Sequence, residues 1–139
     1  MQSLIDGDFA AWQTTMPPCI TNDIMWKSVA YRLGLFAQEW VVSDLELLSG
    51  IKRAQRLLDQ LERAAQSISE TFSEGYARRP GRDRLRFYEY SLGSSRESRD
   101  VWLKLHRFLT EDRYNAGLEL FTRLVQILTV VVRKERESI

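Results

Sequence analysis

Cysteine is almost missing from this sequence: Cys19 is the one thiol in 139 residues. An intrachain disulfide needs two. A structural zinc site needs four Cys or His ligands, and His106 is the one histidine available beside Cys19. The chain is therefore expected to fold without metal or cross-link, and a free thiol suits a reducing compartment. Helix breakers are scarce too, with three prolines and seven glycines, which favours long uninterrupted elements. No long hydrophobic run occurs. The longest apolar stretch, residues 127–132, is already broken by Thr129, far short of the roughly 20 residues that span a bilayer. The N-terminus lacks the basic segment and apolar core of a secretory signal. The resulting expectation is a cytoplasmic protein with no membrane partner.

What is present is a globular balance: 44% hydrophobic and 28% charged residues in a chain the size of one ordinary domain. A chain this long buries roughly two-thirds of its unfolded surface and needs no staples. Net charge is only +1, but it is unevenly placed. Residues 1–50 carry two basic and six acidic residues, net −4, and residues 78–107 carry nine basic and four acidic, net +5. The basic share gathers around one turn.

Pro17 and Pro18 forbid a helix through that point, so residues 1–21 read as an irregular N-terminal extension, with a short helix ahead of the prolines left open. Residues 22–139 read as the folded domain. Thr21, Asn22 and Asp23 are good N-caps for a helix carrying Trp26, Val29, Ala30, Leu33, Phe36, Ala37 and Trp40, ending near Gly50. The second helix has the clearest period: Ile51, Ala54, Leu58, Leu61, Ala65, Ile68 and Phe72 alternate steps of three and four, the seam of a bundle. Pro80 and Gly81 break the chain. Asp83 caps a third helix with Leu85, Tyr88, Leu92, Val101, Trp102, Leu105, Phe108 and Leu109 on its apolar face. A fourth runs from about 112 to 136, with Leu118, Phe121, Leu124, Val125, Leu128, Val131 and Val132 inward and Ile127 and Val130 off the stripe. Such broad apolar girth predicts a subunit interface there. With no strand pattern and short turns, the expected fold is all-α: an antiparallel up-down-up-down four-helix bundle.

One stretch carries a resemblance. Glu74-Gly75-Tyr76-Ala77-Arg78 is a Glu-Gly-x-x-Arg pattern, and Phe87 is followed by Gly93-Ser94 and then by Glu97. Together with residues 60–65 and Trp26, these resemble the four-helix-bundle family named for proteins encoded in intervening sequences of bacterial 23S rRNA genes. Thr71 and Ser91 stand where that pattern has Asn and Ala. The resemblance implies a bundle forming ring-shaped homo-oligomers, typically homopentamers, with no enzymatic activity and no cofactor. A more distant likeness is to the accessory variability protein of diversity-generating retroelements, a basic bundle that works with a reverse transcriptase and RNA; that is an analogy of fold.

The candidate sites are few. Arg78, Arg79, Arg82, Arg84 and Arg86 flank Pro80-Gly81, close to Tyr76, Phe87, Tyr88 and Tyr90. Arginines neutralise phosphates and aromatics stack on bases, so this turn is the candidate nucleic-acid-binding site for RNA or DNA; a solvated turn with its aromatics in the core is the other reading. Glu74, Arg78 and Glu97 read as a buried or half-buried ion network fixing helix register. A di-iron site needs Glu-x-x-His pairs, and none occurs. Gly75 and Gly93 fall within helical pattern, where close helix approach is a sufficient reason for glycine. No residues suggest a catalytic set: His106 lacks a nucleophile partner, and Cys19 has no basic neighbour. The leading expectation is a non-enzymatic, oligomeric bundle binding nucleic acid, or a nucleic-acid enzyme, through its arginine turn. The alternative is a structural or protein-interaction module with no nucleic-acid role.

Overall fold

Capping side chains open the first and last helices of this chain, and the computed structural model describes residues 3–139. Ser3 accepts the Asp6 N–H at 3.1 Å and opens α1 (Leu4–Gln13). Pro18, at the first position of the short α2 (Pro18–Thr21), needs no N–H there. Asp23 accepts the Met25 N–H at 2.8 Å to start a 3₁₀ turn over Ile24–Lys27. Then come α3 (Val29–Trp40), α4 (Val42–Leu47), α5 (Gln55–Tyr76), α6 (Arg82–Lys104) and α7 (Glu111–Glu137), the last capped by Thr110. No strand occurs among the described residues.

Several boundaries differ from the sequence reading: Asp23 caps the 3₁₀ turn that holds Trp26, so that α3 starts only at Val29, and the N-cap of α6 is Gly81 and not Asp83. Residues 1–21 are not irregular over Leu4–Gln13: prolines at 17 and 18 end a helix without preventing one ahead of them. Ile5 is fully buried, and the Phe9 and Trp12 rings lie 5.2 and 5.6 Å from that of Phe36. Met1 and Gln2 lie outside the described residues. The first long helix is interrupted at Val41, so that α3 and α4 are separate. And Lys52–Ala54 forms a 3₁₀ turn, so the second long helix begins at Gln55 and not at Ile51.

Helices α3, α5, α6 and α7 surround one core. Of the seven heptad positions, Ala54, Leu58, Leu61, Ala65, Ile68 and Phe72 are buried, as the period demands, and Ile51, ahead of the helix, is half-buried. Along α5 and α6, partners run in opposite senses: Gly75 lies under Tyr88, Ser67 bonds Ser94 and Gln60 bonds Glu97. Along α6 and α7, Glu89 meets Arg136 while Trp102 meets Tyr114.

The core face of α6 is unusual. Between Tyr88 and Val101 it presents Ser91, Ser95 and Ser98, all buried. Each hydroxyl is satisfied by a carbonyl: Ser91 donates to Ile68 at 2.6 Å, Ser95 to Leu92 at 2.7 Å and Ser98 to Ser94 at 2.8 Å. Small side chains let α5 and α7 approach α6 closely. Gly75 is one contact point, where a Cβ would meet the Tyr88 ring at 2.9 Å. Gly117 is the other, where a Cβ would collide with the Trp102 indole.

By length and composition α7 could cross a bilayer. In the fold, however, its Leu120, Phe121, Leu124 and Leu128 are fully buried against the other helices. Val130, off the stripe, remains 36% exposed.

Two outcomes follow. Gly117→Ala forces a methyl into the Trp102 ring, and overpacking costs about 1–3 kcal/mol or more; urea unfolding is expected to show a loss at the upper end of that range, with the slope unchanged. The Arg123 hydrogen bond holds the Asp6 carboxyl below the ordinary carboxylate range. That stabilisation is complete above the unfolded pKa of about 3.9 and is lost as pH falls through the lower folded value. Asp6→Asn is therefore expected to lower stability modestly at neutral pH and to converge on wild type near pH 2, flattening the acid limb, as read by thermal melts from pH 2 to 7.

Candidate nucleic-acid interface

The α5–α6 turn rests on a glycine. Gly81 adopts φ +124°, which side chains rarely accept, and its N–H donates to the Glu135 carboxylate at 3.0 Å, tying the turn to the end of α7. The five arginines predicted for this site are brought to one turn, but they do different work.

Arg84 is committed to backbone carbonyls. Its Nε donates to the carbonyls of Gly75 and Arg78, each at 3.1 Å, and its terminal nitrogen to those of Tyr76 at 2.8 Å and Arg78 at 2.6 Å. These carbonyls lie at the end of α5 and just beyond it, where a cation suits the helix dipole; that of Gly75 also accepts the Arg78 N–H at 3.0 Å. Arg84 thus caps the turn, a structural role beside the nucleic-acid contact expected of it.

Arg78 pairs with Glu74 at 2.6 Å and with Asp83 at 3.5 Å, and Arg86 pairs with Asp83 at 2.8 Å. The Glu74 hydrogen bond, foremost, pushes the Arg78 guanidinium above its ordinary range, so it stays charged. Both arginines lie against Phe87, with guanidinium carbons 4.9 and 5.2 Å from the ring centroid. Phe87 meets Tyr90 edge-on at 5.7 Å, and Tyr90 is 51% exposed. Arg79 and Arg82 are exposed, and among the described residues neither has an acidic partner. The turn thus offers two uncommitted cations and two more in surface pairs, beside an exposed aromatic ring. Tyr88, by contrast, is buried in the core and stacks on Phe72 at 4.9 Å.

The ion network does not form as predicted. Glu74 and Arg78 do pair, but at the surface, with side chains 50% and 41% exposed, where solvent screens the attraction. Glu97 lies further along α6 and accepts from Gln60 at 3.2 Å instead. Gly75 admits a neighbouring helix as expected. Gly93 does not: it is exposed, and a Cβ there would meet nothing within 4 Å. His106 is exposed against Tyr114, and Cys19 is exposed. Among the described residues no three acidic, His or Cys side chains gather as a metal site would require.

The strongest polar contact in the molecule escaped the sequence reading. Asp44, 3% exposed, takes a forked pair from Arg113 at 2.6–3.1 Å. Arg113 also donates to the Trp40 carbonyl at 2.6 Å and lies over the Trp40 ring, 3.4 Å from its centroid. The two partners are 69 residues apart, so no local pattern could join them.

Comparison with known proteins adds the following. The model of the family described as 23S rRNA-intervening sequence protein matches residues 37–130. A crystal structure of a protein of unknown function from the S23 ribosomal protein family of Bacteroides thetaiotaomicron VPI-5482 superposes with a TM-score of 0.70 at 17% identity, covering 75% of this chain and 98% of that one. This similarity is one of fold. No curated protein matches.

The division of labour among the arginines is measurable. Arg84→Ala removes the side-chain donor to the Tyr76 and Arg78 carbonyls and is expected to cost about 1–3 kcal/mol, whereas Arg79→Ala, on the open surface, stays within about 0.5 kcal/mol. Arg113→Ala strands the buried Asp44 charge and is expected to cost about 3 kcal/mol or more. Urea midpoints for the three variants check the order.

Proposed function

Since this chain belongs to the 23S rRNA-intervening sequence protein family, we propose that it is a non-enzymatic, up-down-up-down four-helix bundle that assembles into a ring and binds nucleic acid through the α5–α6 turn. The opposed senses in which α5, α6 and α7 meet support the topology. Val130, a large apolar side chain exposed on α7, supports a subunit contact there. A ring repeats each turn around one rim, and weak sites then add by avidity. The homopentamer implied by the family resemblance is the assembly we favour, and the cytoplasm the compartment.

The observation that carries the reading is the pair Arg79 and Arg82, exposed without acidic partners next to the Arg78–Phe87–Arg86 stack and the exposed Tyr90. Phosphates are drawn to unpaired guanidiniums, and bases to an open aromatic face. The turn's cations outnumber its acids, so the local field favours a polyanion. The protein-interaction reading draws on a different surface: Leu47 is 78% exposed and lies beside Phe108 and Leu109, although no part of the chain identifies what would cover it.

Fluorescence anisotropy with labelled structured RNA and duplex DNA across a salt series tests the proposal. The control is Arg79→Glu with Arg82→Glu; Arg84 is left intact because its loss would disturb the fold. Wild-type affinity is expected to fall steeply with salt, and the variant to lose at least about tenfold with a shallower slope, since each duplex phosphate contact contributes about 0.9 to it. No binding at low salt, or binding indifferent to both arginines at unchanged oligomer mass, would sink the proposal and favour a protein partner.

A further inference from the structure

Gly93 sits in the interior of a 23-residue helix, where glycine weakens the helix relative to alanine. Nothing in the fold requires it, because a Cβ there would meet open space. The remaining physical reason for a missing side chain is close approach by something outside the chain. Gly93 lines a groove of about 480 Å³ between α6 and α7, together with Glu89, Arg96, Thr129, Arg133 and Arg136. Three guanidiniums against one carboxylate make it basic. Among the described residues Arg96 and Arg133 have no acidic partner, and Arg136 reaches Glu89 only at 3.5 Å. Leu92 and Val132 supply an apolar floor.

This groove continues the surface that begins at the α5–α6 turn. Arg82, Arg86, Gly93 and Arg96 recur along the outer side of α6, with Tyr90, 51% exposed, one turn before Gly93. From Arg82 to Arg96 the helix rises ~21 Å at 1.5 Å per residue. A basic track with an exposed ring partway along it is the combination that grips a single strand: cations follow the backbone and the ring stacks on a base. A duplex would reach the cations but would hide its base faces from Tyr90.

Resting on the reading of the turn given above, we propose that the outer face of α6 and the α6/α7 groove form one track for single-stranded nucleic acid. Tyr90 is its stacking platform, Arg96 and Arg133 hold phosphate in the groove, and Gly93 leaves room for the strand to lie against the helix.

The test uses the full-length protein and a labelled oligouridylate of about 20 nucleotides, long enough to span the track, with duplex RNA of equal length as the second probe. Gly93→Leu fills the groove, Arg96→Gln with Arg133→Gln discharges it, Tyr90→Leu removes the ring, and Arg79→Gln with Arg82→Gln alters the turn alone. The expected result is at least a tenfold loss of single-strand affinity in each of the first three, at a melting temperature no lower than that of wild type and at unchanged oligomer mass. Gly93→Ala is expected to melt higher than wild type and to bind nearly as well. If the turn variant loses binding while Gly93→Leu and the groove pair bind like wild type, the track is overturned and the turn stands alone. A wild-type protein that binds no polymer at low salt overturns both. A shift of oligomer mass in Gly93→Leu assigns the groove to a second copy and overturns the track. Duplex bound as tightly as single strand, with Tyr90→Leu neutral, overturns the choice of ligand.

Discussion

Trp102 can occupy the centre of this fold only because Gly117 offers it no side chain. The indole is fully buried, its Nε1 donates to the Tyr114 carbonyl at 2.9 Å, and α7 passes so close that any Cβ at 117 would strike the ring. Other contacts hang from that one. Trp40 packs on Trp102 at 5.3 Å, Phe121 packs on Trp102 at 6.0 Å, and Arg113 spreads over Trp40 while gripping Asp44. The result is a continuous stack from α7 through α6 to α3 and α4. Its closed end is rigid because a large aromatic ring cannot shift without clashing, and because a buried forked ion pair loses its compensation if either partner moves.

At the other end of the bundle the same residue type serves two purposes. Arg84 is drawn inward to the carbonyls that end α5, and that allows the turn to be short. Arg79 and Arg82 remain outside. Composition makes the arginines look equivalent, but helix geometry separates them, because only a side chain projecting back over the last turn of α5 can reach its final C=O groups. The cations left free lie at the start of α6, whose outer face carries few large apolar groups and runs past Tyr90 and Gly93 into the basic groove.

Polar residues inside the core follow one rule. Ser91, Ser95 and Ser98 are buried yet inexpensive, because each hydroxyl bonds a carbonyl within reach on its own helix or the next. They replace the bulky residues that a bundle seam ordinarily carries, and so bring α5 and α7 nearer to α6. A pattern search for apolar periodicity passes over them, and that is why α6 looks weakly patterned beside α5.

The sequence by itself determined the helical class, the long elements and most of the core, since these depend on periodicity, capping and the scarcity of breakers, all of which act over a few residues. The seam from Ala54 to Phe72 was legible for that reason, as were the turn at Pro80-Gly81 and the gathering of arginines around it. Only the tertiary structure decided which arginine caps a helix, that Glu97 faces Gln60 and not Glu74, that Ile5 belongs to the core, and that Asp44 is held by Arg113. It also decided that Gly75 is pressed by a neighbouring helix while Gly93 is open. Each of these is a pairing across distant parts of the chain. Such pairings depend on how helices are rotated and spaced against one another, and a linear pattern carries the period of a helix but not the identity of what its faces meet.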